Sequence, residues 1–267
     1  REFTSGSDLD LFYLTRKDER DIQEAMNQFT NLIQKLGFKP PAAGGVFDAP
    51  LPTSTLIRNI GGRDDTNETI TRRMLFLLEG EWLFGEQKFV ETRQAVIEAY
   101  AHDKLRAEQI CLFLLNDIIR YWRTICIDFE FKVRAGDKAK AIRLIKLRFS
   151  RMLIYVAGVL AIGETHNKPA DEKRTYLAEI FGHPPVERIK QIAAGKAADV
   201  LARYDKFLES IDDATIRTEL DVVGEAGEAT NTFKKLNREA HDFREAVAAM
   251  IEGLYPRPHP LQRALMY

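Results

Sequence analysis

The chain has 267 residues, 45% hydrophobic and 30% charged, with 39 Lys and Arg against 40 Asp and Glu. This is a globular composition with enough apolar surface for one large domain or two modest ones, and it excludes a disordered chain. The balanced charge gives no support to a protein that coats nucleic acid, and two cysteines are too few for a disulfide framework.

Cys111 and Cys126 both fall in apolar helical surroundings, which reads as free thiols in a reducing cytoplasm. No uninterrupted apolar run reaches the length of about 18 residues needed to span a bilayer. The longest candidate is Met152 to Ile162, and no membrane role is expected.

The first fourteen residues carry the strongest chemical signal. A polar turn, Thr4 to Ser7, leads into Asp8-Leu9-Asp10 and then into the apolar run Leu11 to Leu14, which reads as a buried strand. Side chains alternate along a strand, so Asp8 and Asp10 would share a face at roughly 7 Å. A divalent cation relieves that repulsion while also taking phosphate oxygens.

Downstream, Arg16 to Phe38 reads as an amphipathic helix stopped at Gly37, and Lys39 to Pro52 as a loop with a short strand at Gly45 to Phe47. Asp48 is a weak candidate for an acid on that strand. A short helix is expected over Thr53 to Ile60. The cap-rich run Arg63 to Glu68 opens a helix with Ile70, Met74, Leu77 and Leu78 on one face, where Asp64 and Asp65 read as charges favourable to the helix dipole. Phe76 to Gly85 embeds Glu79 and Glu81 in an apolar run, where an acid needs a partner.

From Glu86 onward the pattern is helical: Gln87 to Ala101, Lys104 to about Arg134, Asp137 to Gly163, Ala170 to Phe181, Val186 to Ser210, and Ala214 to about Tyr255 with a kink near Gly224 and Gly227. Pro256, Pro258 and Pro260 mark a tail. Two of these helices carry unusual polarity. Asp117 and Asp128 on one, with Arg143, Lys146, Arg148 and Arg151 on the other, read first as a packing network of ion pairs. Tyr121 and Trp122 read as core aromatics, with base stacking as the alternative. The five histidines show no metal-ligand spacing.

The string Arg1-Glu2-Phe3-Thr4-Ser5-Gly6-Ser7-Asp8-Leu9-Asp10-Leu11 resembles the metal-binding strand of the polymerase-β-like nucleotidyltransferases. The likeness is nearest to the branch of glutamine synthetase adenylyltransferase and the PII uridylyltransferase, and the segment Met74 to Gly85 is more weakly similar. It implies an α+β protein. A small mixed-sheet nucleotidyltransferase-like domain would occupy 1–85, truncated at its N-terminus because the glycine-rich phosphate loop would precede Arg1. A larger all-α helical bundle would follow over 86–255, and a tail over 256–267.

It also implies a function: magnesium-dependent transfer of a nucleoside monophosphate from a nucleoside triphosphate to a hydroxyl of a protein, an RNA end or a small molecule. A protein acceptor is favoured by the branch. Asp8, Asp10 and Glu79 would be the catalytic and metal-binding (Mg or Mn) set, with Glu81 the alternative to Glu79. Ser7, Lys132, Lys146, Arg148 and Arg151 would hold the nucleotide. The competing expectation is an inactive nucleotidyltransferase-like module serving as a regulatory or protein-interaction part.

Overall fold

Thr66 opens the first well-formed helix of the core by accepting the N–H of Thr69, and the apolar spacing behind it carries the helix through to Leu78. That pattern of cap and apolar stripe repeats along the chain. The computed structural model describes residues 10–16, 22–38, 46–47, 49–58, 60–134, 139–223 and 226–266.

Among the described residues there are fourteen α-helices and one parallel sheet of two two-residue strands. The expected α+β architecture with a mixed-sheet domain is therefore corrected to a mainly helical fold. Strand β1 (Leu14–Thr15) pairs with β2 (Leu51–Pro52), Leu14 opposite Leu51 and Thr15 opposite Pro52. Pro52 has no N–H to continue the ladder, and α2 (Thr53–Ile57) starts directly after it. Val46 and Phe47, expected in a strand, form a turn instead. Phe47 packs its ring 4.7 Å from that of Phe12.

Glu79 follows directly on the end of α3 (Asn67–Leu78), as its C-cap. Ile70, Met74, Leu77 and Leu78 are buried at helical spacing, as their periodicity predicts. Gly80 then ends it: a Cβ there would lie 2.4 Å from the carbonyl oxygen of Phe76.

Helix α1 (Ile22–Lys35) precedes the sheet's second strand, and α4 (Glu86–Tyr100) and α5 (Leu112–Arg134) follow α3. The expected start of α5 at Lys104 is eight residues early, because turns occupy the stretch before Leu112. The expected Asp137–Gly163 helix is α6 (Lys140–Lys146), a π turn (Leu147–Arg151) and α7 (Met152–Gly163). Helices α8 (Ala170–Ile180), α9 (Pro185–Ala193), α10 (Ala198–Asp212), α11 (Ala214–Leu220), α12 (Ala226–Ala229) and α13 (Asn231–Leu254) complete the body. The proline-rich exit carries a further helix, α14 (Pro260–Met266).

Helix α7 is apolar all round and correspondingly buried, packed against α3, α5 and α9. Gly158 makes the approach to α3 and α5 close, since a Cβ there would sit 3.0 Å from Leu78 and 3.4 Å from Ile118. Phe149 in the π turn stacks on Phe207 at 4.4 Å and meets Phe243 at 5.0 Å, which joins α10 and α13 to the core. One cluster of buried apolar residues extends from Leu51 to Leu261, across position 85. No described helix is long and apolar enough to cross a membrane.

Candidate functional site

Three separate elements meet at Glu79, the residue that caps the C-terminus of α3 and donates its backbone N–H to Leu75. Its side chain is only 2% exposed. From α5, the Tyr121 hydroxyl donates to Oε1 at 2.9 Å. From the π turn, Arg151 Nη1 donates to Oε1 at 2.9 Å and to Oε2 at 3.1 Å. The wide turn at Leu147–Arg151 lets Phe149 enter the core while Arg151 reaches α3.

Arg151 keeps about a third of its side chain exposed, at 34%. Attraction to Glu79 raises its pKa above the ordinary guanidinium value despite desolvation, and Tyr121 and Asp10 add to the effect. Asp10, which is exposed, therefore lies within the field of Arg151. Glu79 and one expected phosphate-binding cation, Arg151, thus meet.

The remaining expected residues divide. Asp8 and Ser7 lie outside the described residues, as does Asp48. Lys132 sits three turns beyond Tyr121 on α5 and pairs with Asp128 of its own helix at 2.7 Å. Arg148 donates to Asn237 of α13, and its pKa is lowered by burial and by Arg244. Lys146 is half-buried in the last turn of α6. Glu81 is exposed and accepts the N–H of Trp82. Trp122 stacks on Tyr155 at 5.3 Å.

Among the described residues no group of three or more His, Cys, Asp or Glu is arranged to hold a metal ion. Both Glu79 oxygens engage Arg151, and one also engages Tyr121, so this donor set fits a carboxylate that positions an arginine better than one that ligates a cation.

A second polar cluster escaped the sequence reading. Arg73, fully buried on α3, donates Nε to Leu56 O at 2.8 Å and pairs with both oxygens of Asp65. Its Nη1 also reaches Tyr100 at 3.1 Å and Asp117 at 3.2 Å, while the Tyr100 hydroxyl donates to Asp117 at 2.5 Å. Burial alone would depress the Arg73 pKa, but Asp65 and Tyr100 raise it. The cluster ties the loop before α3 to α4 and α5, and its members are spent on one another. The available signal was Arg73 itself, a cation at the core-facing spacing between Ile70 and Leu77.

Comparison with protein-family models, with characterised proteins and with solved structures finds no match for this chain.

Proposed function

We propose that the chain is part of a nucleotidyltransferase that moves a nucleoside monophosphate from a nucleoside triphosphate onto a hydroxyl, releasing pyrophosphate. The observation that carries this reading is the pairing of Glu79 with a partly exposed Arg151, whose charge Asp10 also feels. An exposed acid able to serve a cation, within the field of an arginine that Glu79 holds half-open, would complement a metal-bound triphosphate.

In this reading Asp8 and Asp10 hold Mg²⁺ or Mn²⁺, which supplies Lewis acidity to the attacking and leaving oxygens. Glu79 and Tyr121 fix Arg151, whose exposed edge neutralises phosphate charge. The acceptor oxygen bonds to the α-phosphorus as the bond to the bridging oxygen breaks. A site carboxylate takes the acceptor's proton. The acceptor class is a protein, an RNA end or a small molecule, with protein favoured, and the setting is cytoplasmic.

A second reading, an inactive regulatory or interaction module, draws on the firm engagement of both Glu79 oxygens and on the exposed Trp82, Leu83 and Phe84 beside them. The deciding experiment incubates the full-length protein with each labelled nucleoside triphosphate, Mg²⁺ or Mn²⁺, and cell lysate. Labelling that disappears in the double variant Asp8→Ala, Asp10→Ala is the expected result. A wild type that labels nothing and binds no nucleotide by calorimetry overturns the enzyme in favour of the module.

A further inference from the structure

His259 stands immediately before α14, and its side chain takes the part usually played by Ser, Asn or Asp at a helix start. Its Nδ1 accepts the backbone N–H of Leu261 at 3.2 Å, while its own backbone N–H donates to Pro256 O at 2.9 Å. An acceptor Nδ1 puts the proton of the neutral ring on Nε2. Protonation removes the acceptor and sets a positive charge at the positive end of the helix. An imidazole cap therefore holds only while it is neutral.

A second histidine faces the first. The ring of His166, in the turn after α7, lies 4.7 Å from that of His259, edge to face at 77°. Tyr255, which caps the end of α13, also meets His259 with its ring at 4.7 Å. Both histidines are half-buried. Burial lowers the His259 pKa from its ordinary 6.5, and His166 lowers it further. A charge on either ring opposes one on the other.

The other charged and titratable groups of this corner do little to relieve that opposition. Glu164, next after α7, accepts the Tyr255 hydroxyl at 2.9 Å. Tyr176 of α8 lies in the field of Glu164 and has the Lys168 ammonium 5.4 Å from its ring. Arg257 and Arg263, on either side of His259 in the chain, are exposed. Glu164 is the one acid of this set, and it engages Tyr255 rather than an imidazole. Beyond the cap, α14 rests on α7, and its Leu261 is fully buried.

We propose that α14 is a proton-released latch: with His259 neutral it is capped and docked on α7, and with His259 protonated beside His166 it lets go, uncovering Leu261. The docked state favours the neutral ring, which fixes the sign. Docking is at full strength above pH about 6.5 and weakens as the pH falls below that value. The latch stands independently of nucleotidyl transfer.

The test is hydrogen exchange of the full chain, read by mass spectrometry at pH about 8 and about 5.5, with exchange times corrected for the intrinsic rate. In wild type the protection of α14, relative to that of α7, is expected to fall about tenfold at the lower pH. His259→Asn keeps a side-chain oxygen at the cap and cannot titrate, so its loss is expected to stay below about twofold. Equal protection of wild type at both pH values, or the same loss in His259→Asn, overturns the latch. Should the asparagine fail to hold α14 at pH about 8, the reciprocal measurement decides. Leu261→Ala loosens α14 and is expected to move the His259 titration midpoint, followed by NMR of the imidazole, upward toward its ordinary value. An unmoved midpoint refutes the latch.

Discussion

Arg151 Nη1 lies 2.9 Å from one oxygen of Glu79 and 3.1 Å from the other, joining positions 72 residues apart. The two partners are not equivalent, because the carboxylate side chain is 2% exposed and the arginine 34%. Removing the arginine strands a buried charge, whereas removing the carboxylate leaves a cation that water can still reach. Arg151→Met is therefore expected to cost about 3 kcal/mol and Glu79→Gln about 1 kcal/mol. The double variant should cost less than their sum, by about 1 kcal/mol. Chemical denaturation of the four proteins measures this, and strictly additive losses would mean that the pair is not coupled.

Arg73 offers a stronger case, since its partners Asp65 and Asp117 are each 1% exposed at the side chain and it has no exposure of its own. Arg73→Met leaves Asp65 buried without a cation and Asp117 with only the half-exposed Arg120, with an expected loss of about 3 kcal/mol. Arg73→Lys should recover little, because one ammonium cannot serve Leu56, Asp65, Tyr100 and Asp117 in a planar fork. A denaturation midpoint for Arg73→Met close to wild type contradicts this assignment.

Helix existence is legible from spacing because each stripe is set by local periodicity: α3, α4 and α8 follow from apolar positions, cap residues and proline or glycine stops, whereas the single helix expected from Ala214 to Tyr255 is α11, α12 and α13. The failures are non-local. Asp65 looks like any acid before a helix, and only the return of Arg73 and the arrival of Asp117 make it a core residue. Glu79 was recognised as an acid that needed a partner, but an apolar run with an acid reads alike as strand or helix end; the cap of α3 and Gly80 decide it. Its partner, Arg151, was singled out separately as a phosphate ligand. Their contact depends on a π turn whose single extra residue has no periodic signature.

Gly163 at the end of α7 faces Tyr255, whose hydroxyl donates to Leu160 O at 3.1 Å and to Glu164 at 2.9 Å. A Cβ at Gly163 would lie 2.6 Å from the tyrosine Cζ, and the ring cannot retreat without breaking both bonds. Gly163→Ala is expected to destabilise by about 2 kcal/mol. Gly195 supplies the control, because a Cβ there meets nothing within 4 Å. Gly195→Ala should be neutral or slightly stabilising through the unfolded chain. Thermal unfolding of the two variants separates these outcomes, and similar midpoints would show that Tyr255 is free to move.

Cys111 gives the fold a pH dependence whose sign is fixed. Burial pushes its thiol up from 9.0 to about 11, opposed by a hydrogen bond with Thr165 and by the charge of Lys173. The folded state therefore holds the thiol proton after the unfolded chain has released it. Its contribution is fully present below pH about 9 and is lost as pH rises through about 11, to the extent of about 2 kcal/mol. Replacing the residue by Cys111→Ala removes that slope while adding a constant offset for the lost sulfur. Stability measured by denaturation at about pH 8 and about pH 11 should fall more steeply in wild type than in the variant by this amount. Alkylation of the native protein provides an independent check. Cys126 is only half-buried, so it should react first at neutral pH, with Cys111 following on the timescale of unfolding. Equal rates at the two thiols would place Cys111 within reach of solvent and remove the basis for the pH effect.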